Sequence, residues 1–416
     1  MNLFSMIFLI ALGLAAATQL WLSVRQVRHV LAHRSRVPAA FVDKVSLEEH
    51  HKAADYGIAK QYFGRLEIAT GVVVLLGWTF GGGLNWVDQL WRGSGHGQLL
   101  SGTGVILSVM LISAVIDIPA SWYRTFVLEE RFGFNKSTPL LFVADLLKGG
   151  MLALLIGIPV VMLVLWLMAA AGHWWWLYAW LAMTLLSLLL SWAFPRFIAP
   201  LFNSFEALPQ GEMRERIEAL LRRCGFKSRG VFVMDGSRRS SHGNAYFTGL
   251  GSNKRIVFFD TLLKQLTPSQ VEAVLAHELG HFGHRHILKG MLLSSLMMLA
   301  GFAVLAWLMR QQWFYAGLGV EQPSLHMALL LFVMVSPAFT FFITPLLSWY
   351  SRRHEFEADA YAAAQTSAEA LSSALVGLYR ENASTLTPDP LHSAFHDSHP
   401  PAAIRIAHLA KAANTG

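Results

Sequence analysis

Seven long apolar stretches dominate this sequence and constrain its fold more than any other feature. Each stretch is long and apolar enough to cross a bilayer core of about 30 Å, which takes about 20 helical residues. The seven stretches are 3–24, 66–87, 99–122, 149–172, 174–194, 287–309 and 326–349. Of all residues, 54% are hydrophobic and only 14% are charged, which is unusual for a soluble globular protein of this size. The sequence therefore predicts a mainly α-helical, multipass membrane protein with seven transmembrane helices.

Two of these stretches contain residues that disturb a helix. The second stretch contains the glycine run 81–83, and the seventh contains Pro337 and Pro345. Glycine is a poor helix former, and proline lacks the backbone N–H that a helix needs. For these two stretches, a buried helix of a large core remains an alternative to a membrane span.

The basic residues indicate how the chain is oriented. The first stretch follows Met1 and Asn2 without a positive charge, so we expect it to remain as a membrane anchor and not to be cleaved as a signal peptide. The segment 25–65 contains eight Lys and Arg residues, whereas Arg92 and Arg310 are the two of 33 that fall on the opposite side. Positive residues favour the cytoplasmic side, so the N-terminus is predicted outside and the large polar segments in the cytoplasm. The net charge of +7 then reflects topology, and we expect lipid and no nucleic acid as a partner.

The polar segment 195–286 has the pattern of a small α+β domain. Apolar residues at helical spacing predict a helix near 213–224, and a short apolar run predicts a strand at 231–234. The segments 244–248 and 255–259 flank a glycine-containing turn and predict a β-hairpin. A capping box that begins at Thr267 then predicts a helix that runs to about residue 286.

This last helix carries the motif His277-Glu278-Leu279-Gly280-His281. Residues four apart lie one above the other on a helix, so both imidazoles can bind one ion while Glu278 projects beside them. Cys224 is the single cysteine, so a metal must use histidine and carboxylate ligands. One zinc ion fits this set and would acidify a bound water, with Glu278 as general base.

A third ligand is required, and a carboxylate from a second helix is a common solution. Directly after the seventh stretch, Glu355 and Asp359 share one helix face. We predict that Glu355 binds the metal and that Asp359 accepts the other ring N–H of His277. His284 lies on the same face as the motif histidines and remains a rival third ligand. The metzincin pattern is excluded, because that pattern requires His at 287, which is Ile287 here.

Two further histidines flank these motifs. His286 follows the metal-binding motif and His354 directly precedes Glu355. We expect both side chains to be solvated or structural.

The chain resembles the type I CAAX prenyl proteases, which are integral-membrane zinc endopeptidases, over most of its length. Departures such as Gly243 and Glu357 do not affect the predicted ligands. The matching stretches are 129–136 (EERFGFNK), 199–203 (APLFN), 237–247 (SRRSSHGNAYF), 254–260 (KRIVFFD), 277–281 (HELGH), 353–359 (RHEFEAD) and 398–401 (SHPP).

The resemblance implies seven helices around a water-filled chamber, with the catalytic site facing inward on the cytosolic side. It also implies Glu355 as the third ligand. The strand residues Asn244, Ala245, Tyr246 and Phe247 would bind substrate in extended form, although Asn244 could merely close a turn. His399 and Arg405 would contact the substrate and stabilise the oxyanion, with a capped loop and a surface arginine as the alternative.

These expectations define four parts of the chain. Transmembrane helices 1–5 and their cytosolic loops occupy residues 1–194, and the catalytic segment occupies residues 195–286. Transmembrane helices 6 and 7 occupy residues 287–349, and the segment with the third ligand occupies residues 350–416. We expect a zinc endopeptidase that cleaves a peptide or protein, prenylated if the family name applies, near its C-terminus. Quality control of misfolded or translocon-stalled membrane proteins, and a non-catalytic scaffold that holds zinc, remain alternatives. The compact length favours a bacterial inner membrane.

Overall fold

The computed structural model describes residues 1–226, 230–248 and 255–413. Long apolar helices make up the first half of the chain, and a short sheet with shorter helices follows. The helices are α1 (Leu3–Ala32), α2 (Leu47–Trp78), α3 (Gly83–Arg92), α4 (Gln98–Tyr123), α5 (Pro139–Ala170), α6 (Trp175–Ala193), α7 (Ala199–Phe202), α8 (Glu212–Arg223), α9 (Asp260–Gln265), α10 (Pro268–Gly283), α11 (His286–Leu308), α12 (Gln312–Gly317), α13 (Leu325–Thr340), α14 (Thr344–Gln365), α15 (Ala368–Glu381), α16 (Pro390–His396) and α17 (Ala402–Ala413). The strands are β1 (Phe205–Ala207), β2 (Val231–Met234), β3 (Ala245–Thr248) and β4 (Arg255–Phe259).

Six helices within the described ranges are long and apolar enough to cross a membrane. The predicted second span differs, because α2 and α3 form a pair bent by 47°. Gly82 sits at the break with φ +76°, a left-handed conformation that glycine adopts without steric cost. The seven-helix count is therefore reached only if this bent pair is one span, and it is not confirmed. The candidate spans are Leu3–Ala32, Gln98–Glu129, Pro139–Ala170, Gly172–Phe202, His286–Leu308 and Leu325–Gln365.

The outer faces of these helices are strongly apolar. On α5, for example, Leu140 is 81% exposed, and Met151 and Leu155 are each 72% exposed. Such large exposed apolar faces are unfavourable in water but suit contact with lipid. All backbone groups inside a helix are also satisfied within it, as a membrane requires. The chain is thus a mainly helical membrane protein.

A four-stranded sheet lies next to the helices of the second half, in the order β1-β2-β4-β3. Strand β2 is parallel to β4, whereas β3 is antiparallel to β4 with Ala245 opposite Phe258. The predicted pairing of the hairpin strands is confirmed, and its turn at 249–254 falls outside the described residues. Among the described strands, β3 is at an edge of the sheet.

Helix α10 starts as predicted and ends earlier than predicted. Thr267 and Gln270 form the capping box, with the Gln270 side chain accepting from the Thr267 N–H at 2.9 Å. The helix ends at Gly283, and Arg285 then adopts a left-handed conformation with φ +57°. This sharp turn separates α10 from α11, which starts at His286. Local sequence did not reveal the turn, because arginine rarely adopts positive φ.

Helices α10 and α14 pack against each other at very close range. A Cβ atom built on Gly280 would lie 2.9 Å from the Ala358 Cα and 3.0 Å from the Ala358 carbonyl oxygen. Only glycine at position 280 allows this approach of the two backbones. Ala358 itself is fully buried, so neither helix can shift without disturbing the packing around it.

We expect Gly280→Ala to destabilise the protein by about 1–3 kcal/mol, because its methyl group overlaps the α14 backbone. Thermal unfolding of the purified protein would measure the loss. Gly290→Ala is the matched control, since no atom lies within 4 Å of the added Cβ and alanine is the better helix former. Equal melting temperatures for both variants would contradict close packing at Gly280.

Candidate metal centre

Three side chains from two helices converge on one point. His277 and His281, on successive turns of α10, place their Nε2 atoms 3.2 Å apart. Glu355, on α14, places Oε2 3.5 Å from His277 Nε2 and Oε1 3.2 Å from His281 Nε2. One ligand atom from each residue lies within 4.8 Å of the others. The structure thus brings together the three residues that the sequence predicts as ligands.

The chemistry of these atoms fits a divalent metal. Neutral imidazole nitrogens that face each other at short range repel unless a proton or a cation lies between them. Glu355 Oε2 is buried and has no hydrogen-bond partner within the described part of the chain. A buried carboxylate oxygen without a partner is costly, and a cation would satisfy it. Two histidine nitrogens and one carboxylate oxygen form the ligand set of a catalytic zinc site that keeps one position open.

Asp359 orients the first histidine. The Asp359 carboxylate is fully buried, and its Oδ1 accepts from His277 Nδ1 at 2.9 Å. This bond fixes the ring proton on Nδ1 and leaves Nε2 free for a metal. The predicted partnership of Asp359 and His277 is therefore present in the geometry.

Arg405 is paired with these buried carboxylates. Its Nε–H and Nη2–H donate to Asp359 Oδ2 at 2.8 Å and Oδ1 at 2.5 Å. Its Nη1 lies 3.5 Å from Glu355 Oε2, and the side chain is only 7% exposed. Two buried carboxylates would be unstable without such a compensating charge. The structure thus brings Arg405 to the site, where its Nε, Nη1 and Nη2 atoms face the Asp359 and Glu355 carboxylates.

The pKa values of two α10 residues are shifted by these surroundings. Burial lowers the pKa of His277, but hydrogen bonds to Asp359 and Glu355 outweigh it and raise this pKa to about 9. A ligating histidine must be neutral, so metal binding would displace a proton here. Burial raises the pKa of Glu278, and the neighbouring Glu355 adds to the effect. A raised pKa suits a carboxylate that exchanges protons near neutral pH.

The rival ligand His284 lies outside this cluster. Its ring is exposed beyond the end of α10 and stacks on His286 with 5.5 Å between ring centroids. Glu355 occupies the third position of the group that can hold a metal. The early end of α10 explains the difference, because the predicted face assumed a helix continuing past residue 283.

A cavity of 190 Å³ opens beside the candidate ligands, and a second cavity of 710 Å³ shares four of its lining residues. His399, on the loop between α16 and α17, lines both cavities; its Nε2 lies 3.4 Å from Glu355 Oε1 and its side chain is 63% exposed. The residues that line the small cavity include Asn244, Ala245, His277, Glu278, His399 and Arg405. A substrate in the small cavity would therefore contact the candidate ligand His277 and the candidate base Glu278 together.

The edge strand β3 begins at the same cavity. The Phe259 N–H donates to the Asn244 carbonyl at 2.9 Å, so the alternation of an antiparallel pair directs the backbone groups of Ala245 and Phe247 away from β4. Asn244 Oδ1 accepts from the Ala245 N–H at 2.8 Å. Tyr246 packs against Phe259 with a centroid distance of 6.2 Å. Of the four predicted strand residues, the structure brings Asn244 and Ala245 to the cavity.

Sequence reasoning missed the side chains that anchor the start of this strand. Asn382, at the end of α15, accepts from the Gly243 N–H at 3.0 Å and lies 3.2 Å from His242 Nδ1. His242 Nε2 lies 3.4 Å from Glu129 Oε2, and the Tyr56 hydroxyl donates to Glu129 Oε1 at 2.5 Å. No local pattern marks Asn382. His242 and Glu129 do lie in stretches that carry the family resemblance.

Comparison with known proteins places this architecture in a family. A profile described as CAAX prenyl protease N-terminal, five membrane helices, matches residues 26–204, and the profile of peptidase family M48 matches residues 207–413. The CAAX prenyl protease 1 homolog of Arabidopsis thaliana is 34% identical, with 89% of each chain covered. CAAX prenyl protease 1 of Saccharomyces cerevisiae is 38% identical over 72% of this chain and 69% of its own length.

A solved structure gives the same result for the fold. The crystal structure of S. mikatae Ste24p has a TM-score of 0.90 and 31% identity, and the match covers 98% of this chain and 99% of that one. The fold of the present chain is therefore that of Ste24p. On these similarities in sequence and structure, the chain belongs to the CAAX prenyl protease 1 family of M48 peptidases and is a membrane metalloendopeptidase.

Proposed function

We propose that the chain is a zinc endopeptidase that cleaves a peptide bond near the C-terminus of prenylated, CAAX-type substrates. The observation that carries this proposal is the convergence of His277, His281 and Glu355 on one point, next to a cavity that Glu278 and the start of β3 line. The chemistry of a catalytic zinc site accounts for the ligands. The names of the relatives support the substrate class.

The residues of the chain divide the work of hydrolysis. A bound zinc ion would act as a Lewis acid and acidify water. Glu278 accepts the proton of the attacking water and returns it to the leaving amine. His399, on the open side of the cavity, donates a hydrogen bond to the developing oxyanion. Arg405 compensates the charge of Asp359 and Glu355, which keeps both carboxylates ionised as the reaction proceeds.

The substrate would bind as an added strand. The outward backbone groups of Ala245 and Phe247 can form hydrogen bonds with an extended peptide. Such pairing recognises the backbone of the peptide and does not depend on its side chains. Asn244, at the start of the strand, would meet the peptide close to the reacting bond. The anchoring of Gly243 by Asn382 supports this role, because a fixed edge loses less entropy on binding.

For the orientation in the membrane we propose an outside N-terminus, with the site and the C-terminus on the cytoplasmic side. The distribution of Lys and Arg supports this arrangement. The bacterial inner membrane stays a prediction; the relatives described above come from a plant and a yeast.

Glu278→Gln is expected to lower kcat by about 100- to 10,000-fold, because it removes the general base. Zinc content, measured by elemental mass spectrometry, should remain at the wild-type level. Cleavage is assayed by mass spectrometry on a prenylated CAAX peptide, on the same peptide without its isoprenoid, and on an unfolded membrane protein.

Glu272→Gln is the matched control on the same helix, where the half-buried Glu272 pairs with Arg216 and Arg223. Wild-type rates for Glu278→Gln would refute the mechanism. If the wild type cleaves the unfolded membrane protein and neither peptide, the function is quality control and not CAAX processing. Bound zinc without any cleavage by the wild type would favour a scaffold.

Ala245→Pro tests substrate binding at the edge strand. Proline removes one outward N–H, which donates to Asn244 Oδ1 until a peptide takes over as acceptor. It keeps the ladder to β4, as proline can on an edge strand. The loss of one hydrogen bond, worth about 1 kcal/mol, should raise KM about fivefold with little change in kcat. Ala245→Ser retains the N–H and should behave as wild type. An unchanged KM for Ala245→Pro would argue against strand addition at this position.

A reporter fused after Gly416 tests the orientation. A reporter active only in the cytoplasm should give full signal, because the positive segments are expected on that side. The same reporter fused before Met1 is the control and should give none. The reverse pattern of signals would overturn the orientation.

A further inference from the structure

The second ring nitrogen of His281 contacts another histidine. His281 Nδ1 lies 3.0 Å from His286 Nδ1, and His286 Nε2 lies 2.9 Å from Glu357 Oε2. The His286 side chain is only 4% exposed, whereas Glu357 is 39% exposed. A continuous chain of hydrogen bonds therefore leads from a candidate metal ligand to a carboxylate at the surface.

The turn between α10 and α11 creates this contact. On one continuous helix, residues five apart point about 140° away from each other, so the rings of His281 and His286 would not meet. The left-handed conformation of Arg285, with φ +57°, breaks the helix and returns His286 to His281. A non-glycine residue with positive φ costs free energy and persists where the surrounding structure requires it.

The directions of the hydrogen bonds follow from proton balance. Glu357, as a carboxylate, can only accept, so His286 donates from Nε2. A neutral His286 then has a lone pair on Nδ1, which must accept from His281 Nδ1–H. His281 consequently carries its proton on Nδ1 and leaves Nε2 bare, and Nε2 is the atom that faces His277 and Glu355. The chain of bonds thus selects the tautomer that can bind a metal.

Packing holds the middle of this chain in place. The ring of His354 stacks on His286 with a centroid distance of 3.9 Å and an angle of 9° between planes. His354 directly precedes Glu355 on α14, so one helix supplies a metal ligand, the acceptor Glu357 and the stacking ring. The arrangement on His281 parallels the bond that Asp359 makes to His277.

We propose that His286 and Glu357 are positioning residues, which together fix the tautomer and ring orientation of His281 for metal binding. This inference rests on the proposed function, since it assumes a zinc ion at His281. Partners of this kind on a ligating histidine typically change metal affinity by about 10- to 100-fold. The family resemblance assigned no role to His286 or Glu357, and the sequence alone assigned His286 a solvated or structural place.

The test measures zinc affinity of the full-length protein in detergent, by competition with a chromogenic chelator. His286→Leu and Glu357→Leu remove the hydrogen bonds and should weaken zinc binding by about 10- to 100-fold. Glu357→Gln keeps an acceptor for His286, and His286→Asn keeps one for His281, so both should recover most of the affinity. His284→Leu removes a ring that stacks on His286 but makes none of these hydrogen bonds, so it is the control for packing and should bind zinc as the wild type does.

Two further readouts separate positioning from folding. The visible spectrum of the Co²⁺-substituted protein should change in both Leu variants, because a misoriented imidazole alters the ligand field. The melting temperature of the metal-free protein should change little, at least for the partly exposed Glu357.

Each outcome bears on the proposal. Leu variants that bind zinc as tightly as the wild type would overturn it and leave the proposed function intact. Gln and Asn variants as weak as the Leu variants would overturn it in favour of packing alone. A wild-type protein without zinc affinity would overturn both, and the absence of any cleavage by that protein would identify this case.

Discussion

The close contact of α10 and α14 is the constraint on which the site depends. Gly280 lies between the two motif histidines, and opposite it the backbone of Ala358 lies between Glu355 and Asp359. Each helix carries half of the polar groups, and neither half can hold a metal alone. Because the two backbones touch, side chains of ordinary length can place nitrogen and oxygen within hydrogen-bond range of each other.

This closeness also creates an electrostatic problem that the structure balances. Two carboxylates, Glu355 and Asp359, are buried together, which is costly unless opposite charge accompanies them. Arg405 supplies one positive charge from α17, and the hydrogen bonds of His277 to the two carboxylates raise the pKa of its ring. A divalent cation would take the place of the histidine proton. The same buried environment raises the pKa of Glu278, so burial serves both the binding of the ion and the proposed proton transfer.

The site is tied to the membrane half through the start of the edge strand. Gly243 is held by Asn382, and His242 connects it to Glu129 and Tyr56 on the long helices. A peptide that pairs with β3 would therefore bind next to a strand whose start is held by Asn382 and, through His242, by the long helices. The 710 Å³ cavity lies along this junction, between the long helix α2 and the loop of His399.

The sequence by itself determined the features that depend on short spacings. Apolar runs predicted the long helices, turn residues predicted the pairing of β3 with β4, and the four-residue spacing of His277 and His281 predicted a shared ion. The spacing of Glu355 and Asp359 predicted their common face, and the family resemblance added substrate binding by the strand and the roles of His399 and Arg405. These features are local, because the direction of each side chain on a helix or strand follows from its spacing to nearby residues.

Only the tertiary structure decided how distant segments meet. The sequence marked the glycine run 81–83 as unfavourable for a helix, but only the structure shows the 47° bend there and the turn at Arg285. The contact of His286 with His281 follows from the turn at Arg285, and the pairing of Arg405 with Asp359 joins α17 to α14. Such contacts join residues through space, and their free energy is gained only when the whole set of helices is packed, so the linear pattern carries no separate signal for them.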